Sequence, residues 1–317
     1  MTDTRAVART TLHGPAAWKG SELQVDPAWR YHLSAGEIAD VETAVALVRD
    51  RGLDLDHLGA EDFPLPVLGP AIGSWARELA EGRGFVLVKG LPVTRLSAEG
   101  ASIAYAGIGR HLGVPLVQNL DGDLLGQIRA TDDDPDDVTV RRYKTTLAQP
   151  FHTDSSEVVG LMCLMPARSG GRSSIASSVS VFNAVLHDRP DLVDLLFEPF
   201  YFDRYEQQAE GADPYFAVPL CTFDHGRLST YYIRFVIDHA QRHAIVPRLT
   251  ERQVELLDLI DALAASDELR LDMDFEPGDM QFLKNSVILH SRTAYEDDED
   301  PAKRRHLLRL WLNLHRR

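Results

Sequence analysis

The sequence lacks the features that mark secreted and membrane-spanning proteins. It has two cysteines in 317 residues, Cys163 and Cys221, and neither lies in a CxxC pair, so a disulfide scaffold is excluded. No apolar stretch approaches the roughly 18 residues that span a bilayer. The first residues also lack the apolar segment of a secretory signal. We therefore expect two buried free thiols in a cytoplasmic protein.

Positive charge is also scarce. The 33 lysines and arginines are outnumbered by 48 aspartates and glutamates, which gives a formal net charge of -15. The field of so acidic a protein repels polyanions, so we expect neither a nucleic-acid nor a membrane partner. Hydrophobic residues make up 44% of the chain, which is ordinary for a globular protein and is enough for a sizeable core.

The first third of the chain shows helical periodicity. A capping box of Ser34 and Glu37 predicts where the first of these helices begins, and Gly52 where it ends. Helices are predicted over 34–51, 70–82 and 97–112, with a buried strand at 85–88. Trp18, Trp29 and Tyr31 indicate that residues 1–33, which lack clear periodicity, dock onto the body of the protein.

After residue 114 the pattern changes to short apolar or alternating runs broken by Gly, Pro and Asp, which is typical of an all-β protein. Strands are predicted over 125–129, 161–165, 173–177, 228–233, 280–290 and 306–314. Helices are predicted over 181–197 and 250–265, the second opened by Thr250 and Gln253. The acidic segment 131–138 lacks the glycine and distal glutamate of an EF-hand loop, so we interpret it as a solvated turn.

Neither an internal repeat nor a linker is visible in the sequence. We therefore expect one domain over 1–317, in which a mostly helical portion, 1–83, packs on a strand-rich core, 84–317. The fold class is mainly β with flanking helices.

Three side chains predict a metal site. His152 and Asp154 lie two residues apart in an extended segment, so both can face one cation. His290 follows a strand-like run and is the best-placed third ligand. Two imidazoles and one carboxylate form the facial triad of non-haem iron enzymes, which leaves coordination positions open for other ligands.

The last strand carries arginine among apolar residues. Arg305, Leu307, Arg309 and Trp311 share one of its faces. A buried guanidinium is costly unless it meets an anion, and its fork suits a carboxylate. Arg309 near the metal would therefore bind an anionic cosubstrate, although the same spacing also fits an arginine that reaches the surface or pairs with a structural carboxylate.

Several segments together resemble the taurine-dioxygenase-like branch of Fe(II)/2-oxoglutarate oxygenases. They are the HTD of 152–154, the GGRS of 170–173, the HSRTAYED of 290–297, the RRHLLRLWL of 304–312 and the upstream GFVLVKGLPV of 84–93. The resemblance covers roughly 84–314. It implies a double-stranded β-helix (jelly-roll) core of the clavaminate-synthase-like type, and leaves room for a homo-oligomer.

The resemblance also implies roles for individual residues. His152, Asp154 and His290 match the iron ligands, and Fe(II), 2-oxoglutarate and O₂ are the implied cofactor and cosubstrates. The distal carboxylate of 2-oxoglutarate is matched to Arg309. A second arginine near the cosubstrate or substrate matches Arg305, and Ser173 stands where the family often has a threonine that binds the same carboxylate. An acid at 154, where related halogenases have a small residue, argues against halogenation.

The implied activity is hydroxylation of an unactivated C–H bond in a small molecule, with release of succinate and CO₂. Substrate contacts are expected from Gln118, Asn119, Tyr143, Tyr232 and Arg234, which border the pocket region in the sequence. Three alternatives stay open. They are desaturation, cyclisation or C–N cleavage at the same iron site, a zinc hydrolase built on the same triad, and a non-catalytic jelly-roll binding protein.

Overall fold

The computed structural model describes residues 9–119, 121–131, 141–224 and 226–316, without the side chain of Asp224. The predicted acidic turn at 131–138 lies outside these residues except for Thr131. Both cysteines are free and buried, as expected. Within the described part of the chain, no helix is long and apolar enough to cross a membrane.

Two helices begin at the capping residues that the sequence indicates. Ser34 accepts a hydrogen bond from the backbone of Glu37, and Thr250 accepts one from Gln253, so both predicted capping boxes are confirmed. The described helices are α1 (Gly20–Val25), α2 (Ala35–Arg51), α3 (Gly69–Glu81), α4 (Val93–Leu112), α5 (Ser178–Asp188), α6 (Arg234–Ala240) and α7 (Glu251–Ala265).

The strands alternate with turns over most of the chain. In chain order they are β1 (Arg30–His32), β2 (Phe85–Lys89), β3 (Gly113–Pro115), β4 (Leu125–Ile128), β5 (Gln149–His152), β6 (Val158–Met165), β7 (Ser169–Gly170), β8 (Ser173–Ser177), β9 (Pro199–Asp203), β10 (Tyr215–Pro219), β11 (Cys221–Asp224), β12 (Arg227–Thr230), β13 (Arg270–Met273), β14 (Met280–Lys284), β15 (Ile288–Arg292), β16 (Tyr295–Glu296) and β17 (His306–Leu314).

Two sheets form the centre of the molecule. The larger has seven strands in the order β1-β2-β14-β6-β17-β3, with β4 also paired to β17. The smaller has four strands in the order β13-β8-β15-β5. Buried side chains from both sheets, such as Phe85 and Leu283 from the larger and Ile175 and Ile288 from the smaller, share one apolar cluster. The sheets therefore pack face to face, as in a jelly roll.

Helices cover the outer faces of this sandwich. Helices α2, α3 and α4 pack their apolar residues against the larger sheet. Helices α5, α6 and α7 pack with the β9–β10 and β11–β12 hairpins against the smaller sheet. The expected class of a mainly β core with flanking helices is confirmed.

Three predicted elements differ from the structure. The single strand expected over 280–290 is two strands, β14 in the larger sheet and β15 in the smaller, because Asn285 and the following turn carry the chain from one sheet to the other. The strand expected over 228–233 stops at Thr230, and Arg234 begins helix α6 instead. The helix expected over 181–197 ends at Asp188, since proline follows at 190.

Candidate active site

Strand pairing brings the two predicted histidine ligands together. Strands β5 and β15 are antiparallel neighbours, and His152 lies directly opposite His290 in their register. The centroids of the two imidazole rings are 4.1 Å apart. Asp154 follows two residues after the end of β5, and the ligand atoms of all three side chains lie within 4.8 Å of one another. The predicted convergence of these residues is confirmed.

Hydrogen bonds from a neighbouring loop fix the position of Asp154. Its backbone N–H donates to Oδ1 of Asn285 at 2.8 Å, and Nδ2 of Asn285 donates to the carbonyl of Ser156 at 2.9 Å. Asn285 is buried, so these bonds are shielded from water. The backbone N–H of Thr153 donates to the carbonyl of Tyr232 at 2.8 Å. The segment after β5 is therefore held on both sides.

The protonation states of the triad suit a divalent cation. The Nδ1–H of His152 donates to the carbonyl of Pro150 at 2.8 Å, which leaves Nε2 with its lone pair. Burial lowers the pKa of His152, and it lowers the pKa of His290 to about 3, so both rings are neutral. Burial alone would raise the pKa of Asp154, but the nearby charge of Arg309 and the hydrogen bond from Trp311 lower it, and the net shift of this pKa is downward. The acid is thus ionised.

The triad opens into a cavity of about 540 Å³, a volume that includes its mouth. Apolar side chains cover much of its wall, which favours a site with little water. The residues that line it are Ile128, Tyr143, Gln149, His152, Asp154, Val159, Leu161, Ser173, Phe275, His290, Ser291, Arg292, Arg305, Leu307 and Arg309.

Arg309 lies beside the triad and is held rigidly. Its Nε–H donates to Oε1 of Gln118 at 2.7 Å. The amide nitrogen of Gln118 donates in turn to the carbonyls of Leu124 and Arg309 itself. The guanidinium carbon lies 4.8 Å from the ring centroids of both Tyr143 and Trp311. Arg309 is thereby fixed between two aromatic rings.

A second cationic group also lines the cavity. The guanidinium groups of Arg292 and Arg305 flank the ring of Tyr295 at 4.7 and 5.0 Å. Both arginines are buried, and Nη1 of each has no hydrogen-bond partner among the described residues. Burial lowers the pKa of Arg292, and the adjacent charge of Arg305 lowers it further. Ser173, which pairs with Arg292 between β8 and β15, lines the same part of the cavity.

These donors fit a ferrous ion and a dianionic cosubstrate. Two neutral imidazoles and a carboxylate are the donor set of the facial triad. Among the described residues, no ion pair joins a carboxylate to Arg292, Arg305 or Arg309, and only longer-range interactions with Asp297 and Asp154 offset their charge. Buried guanidinium donors without a partner favour an anionic ligand.

The residues predicted to contact substrate divide into two groups. Tyr143 lines the cavity, and its contact with substrate stays a prediction. Gln118 binds Arg309, and Asn119 donates to Asp123 within a turn, so neither reaches the cavity wall. Tyr232 and Arg234, which were also predicted to contact substrate, do not line the cavity either.

Tyr232 and Arg234 belong to the outer helical layer. The hydroxyl of Tyr232 donates to Asp261 at 2.6 Å, and Arg234 forms ion pairs with Asp238 and Asp258 on the helices. The prediction placed both on one strand, but Arg234 opens helix α6 and points toward α7. Acidic residues on α6 and α7 account for both side chains without a ligand.

Sequence reasoning assigned no role to two residues that the structure places at the site. Trp311 donates from Nε1 to Oδ2 of Asp154 at 2.9 Å. Arg292 lines the cavity and is braced by a hydrogen bond of 3.0 Å to the carbonyl of Thr145. Their signals were present, since Trp311 shares a strand face with Arg309 and Arg292 lies two residues after His290. Neither position in the sequence shows which residue the side chain contacts.

Comparison with known proteins agrees with this geometry. The model of the taurine catabolism dioxygenase TauD, TfdA family matches residues 49–311. The chain belongs to this family. It is therefore a non-haem iron oxygenase that uses Fe(II) and 2-oxoglutarate, and the expected resemblance, enzyme class and cofactors are confirmed.

Two relatives align along nearly the whole of this chain. FR-33289 synthase from Streptomyces rubellomurinus (strain ATCC 31215) is 28% identical over 313 residues, which cover 97% of this chain and 92% of the relative. The taurine hydroxylase-like protein SAT17 from Stachybotrys chartarum (strain CBS 109288 / IBT 7711) is 31% identical over 309 residues. These cover 94% of this chain and 79% of the relative.

Solved structures share the fold. Asparagine oxygenase in complex with Fe(II), 2S,3S-3-hydroxyasparagine and succinate superposes with a TM-score of 0.70 at 16% identity, over 90% of this chain and 93% of that chain. The non-haem iron oxygenase OrfP with Fe and α-ketoglutaric acid gives a TM-score of 0.67 at 16% identity, over 90% of this chain and 94% of that chain. The jelly-roll assignment is confirmed by these likenesses.

Proposed function

We propose that this protein hydroxylates an unactivated C–H bond of a small molecule, with conversion of 2-oxoglutarate to succinate and CO₂. One observation carries the proposal. The ligand atoms of His152, Asp154 and His290 lie within 4.8 Å of one another, in a cavity that also holds three arginines. When bound there, Fe(II) and 2-oxoglutarate supply the oxidising chemistry that O₂ alone lacks.

In this proposal the three triad side chains hold the iron. Both imidazoles are neutral, and each offers one nitrogen, while Asp154 supplies one negative charge. The hydrogen bond to Pro150 fixes the ring orientation of His152. The apolar cavity wall limits water near the site, which strengthens electrostatic contacts and protects the reaction from side products.

The cavity arginines would divide the two carboxylates of 2-oxoglutarate between them. Arg305 and Arg292 have buried donors without partners and lie with Ser173, so they suit the distal carboxylate. Arg309 packs on the ring of Trp311, whose indole N–H donates to Asp154, and so it lies beside the metal ligands. This assignment differs from the sequence expectation for Arg309, which stays a prediction, and the two can be separated by experiment.

The substrate in this proposal is a small polar metabolite. Support comes from the relatives, since one is named a taurine hydroxylase-like protein and solved neighbours contain hydroxyasparagine or hydroxyarginine. We also propose a cytoplasmic enzyme without nucleic-acid or membrane partners. The free buried cysteines and the net charge of -15 support this part of the proposal.

The test is a screen for succinate release with Fe(II), 2-oxoglutarate and O₂ over amino acid derivatives, small sulfonates and carboxylates. We expect one compound class to stimulate release and to gain one oxygen atom in its product mass. Loss of two hydrogens would indicate desaturation or cyclisation instead. His290→Ala should abolish release, while Arg168→Ala, which changes a surface ion pair, should not. Turnover with Zn²⁺ and without O₂ would contradict the proposal.

A further inference from the structure

The carboxylate of Asp154 presents its two oxygens to different partners. Oδ2 accepts the hydrogen bond from Nε1 of Trp311 at 2.9 Å. Oδ1 lies 3.8 Å from Nε2 of His152. Nδ1 of His152 is committed to the carbonyl of Pro150, whereas Nε2 accepts only the amide N–H of Gln149 at 3.0 Å, a side chain that a metal ion could displace. Nε2 is therefore the nitrogen left for a metal ion, and Oδ1 is the carboxylate oxygen beside it.

An indole N–H suits this task for a simple chemical reason. It donates one hydrogen bond and accepts none, so it cannot itself become a metal ligand. Trp311 is also anchored, because its strand, β17, pairs with β6 through most of its length, and Trp311 lies opposite Val159. The donor therefore has a fixed direction toward Asp154.

The π face of the Trp311 indole contacts a second side chain, Arg309. The guanidinium of Arg309 lies 4.8 Å from the centroid of the Trp311 ring. One side chain thus contacts both the acid of the triad and the arginine beside it. The two contacts use different parts of the indole, the N–H and the π face, so they can be separated by substitution.

We propose that Trp311 is a positioning residue that holds Asp154 in a one-oxygen binding mode, with Oδ2 occupied by the indole N–H and Oδ1 left for the metal. This inference rests on the proposed iron site. A carboxylate free to rotate could bind the metal through both oxygens and so fill a coordination position. The indole N–H keeps that position open for the cosubstrate or O₂, while the ring supports Arg309.

Two substitutions separate the N–H from the ring. Trp311→Phe keeps an aromatic ring and removes the donor. Trp311→Gln removes the ring but keeps an amide N–H that is the same number of bonds from Cα as Nε1. Trp29→Phe is the matched control, because the Trp29 indole also donates one hydrogen bond, at 2.8 Å to the carbonyl of Leu23, outside the site.

The measurement is anaerobic titration with Fe(II) and with Co(II), whose absorption spectrum reports coordination number. Loss of an outer partner of a metal ligand typically weakens metal affinity about 10- to 100-fold. We expect that loss, and an altered Co(II) spectrum, in Trp311→Phe. Trp311→Gln should bind metal within a few-fold of the parent but bind 2-oxoglutarate less tightly, and Trp29→Phe should match the parent in both.

Three outcomes would overturn the inference. They are an unchanged affinity and Co(II) spectrum in Trp311→Phe, equal loss of metal affinity in the Phe and Gln variants, and equal loss in Trp29→Phe. If Trp311→Phe does not fold, the Gln variant alone decides, since loss of metal binding there contradicts a role for the donor. A parent protein that binds no Fe(II) would instead refute the proposed function.

Discussion

The three arginines of the cavity differ in whether they leave buried donors without a partner. Arg309 uses Nε for Gln118 and is enclosed by two aromatic rings. Arg305 has Nη1 without a partner in the described residues, as does Arg292 for both Nε and Nη1. Since a buried donor without a partner costs roughly 1–3 kcal/mol, Arg292 and Arg305 gain most from an anion.

This difference predicts which substitution weakens the cosubstrate through its distal carboxylate. We expect Arg305→Gln to weaken 2-oxoglutarate binding about 10- to 100-fold, the range of one charged hydrogen bond. Binding of 2-oxobutyrate, which lacks the distal carboxylate, should hardly change. Arg309→Gln should weaken both oxo acids to a similar degree. Anaerobic titration of the Fe(II) enzyme, followed by absorption, measures both affinities.

Arg172→Gln is the matched control, because this neighbour of Ser173 is exposed and pairs with Asp274 at the surface. It should bind both oxo acids like the parent. If Arg309→Gln alone loses 2-oxoglutarate while keeping 2-oxobutyrate, the expectation from the sequence resemblance is right and the assignment to Arg305 is wrong.

For individual residues, the sequence predicted which side chains could bind a metal, but it did not predict which side chains contact one another. The spacing of His152 and Asp154 and the strand-end position of His290 indicated a candidate triad, and the family resemblance was needed to assign it. The bond from Trp311 to Asp154 joins residues 157 positions apart. Only the pairing of β6 with β17 brings them together, and local spacing contains no record of that pairing.

Among the elements, helix boundaries followed local chemistry and strand boundaries did not. The capping boxes at Ser34 and Thr250 are decided within four residues, so they could be read directly. The run 280–290 looked continuous because β14 and β15 are both apolar. Its division at Asn285 depends on two sheets that the local sequence does not specify.

Helix α4 provides a test of close packing between elements. Gly107 lies against Phe63, and an added Cβ would overlap its ring. Gly107→Ala gains about 1 kcal/mol of helix propensity, but overpacking a buried contact costs roughly 1–3 kcal/mol. We expect net destabilisation, measured by urea unfolding. Gly36→Ala is the control, since its nearest neighbour, Val67, lies at 3.8 Å. Equal stabilisation in both variants would contradict the packing argument.

The junction of β9 and α6 contains a buried acid with cationic neighbours. Asp203 is fully buried and bonds Arg242 at 2.8 Å and His243 at 2.8 Å. Burial alone would raise the pKa of this carboxyl, but hydrogen bonds from Arg242, from the backbone of Tyr205 and from His243 lower it to about 2. The ionised form is therefore favoured in the folded protein.

The sign of the effect follows from this lowered pKa. The ordinary value is 3.8, so the stabilisation is complete above about pH 4 and is lost as the pH falls toward 2. We expect Asp203→Asn to lower the free energy of unfolding at pH 7 by about 2 kcal/mol. The gap should shrink between pH 4 and pH 2 in urea unfolding. Asp194→Asn, which removes an exposed pair with Arg9, should change little; a pH-independent gap for Asp203→Asn would contradict the assignment.

For the whole molecule, the site lies where the two sheets meet. His152 and His290 come from the smaller sheet, whereas Arg309 and Trp311 come from β17 of the larger one. Strand texture predicted a mainly β core, because short apolar runs broken by turns are typical of such proteins, and the family resemblance implied that this core is a jelly roll. They could not predict which strands are neighbours, because register is set by contacts between distant segments.

The N-terminal portion also contributes to both sheets. The indole of Trp18 donates to the carbonyl of Arg83 at 3.0 Å before β2, and the hydroxyl of Ser180 on α5 donates to the carbonyl of Trp18 at 2.6 Å. Residues before β2 therefore connect layers that are far apart in the chain. This supports the prediction of one cooperative domain over 1–317, which thermal unfolding can test as a single transition.

A site made from both sheets should stabilise the whole chain when it is filled. A ligand at a hundred times its dissociation constant adds about 2.7 kcal/mol to the folded state. We expect Mn(II) with 2-oxoglutarate to raise Tm by a few degrees in one transition, because neither sheet can separate without breaking the site. Asp154→Ala removes one ligand and should lose most of that rise, whereas Asp194→Asn should keep it. A rise that is equal in Asp154→Ala would mean that the ions bind elsewhere, and a ligand-induced split into two transitions would mean that the sheets unfold independently.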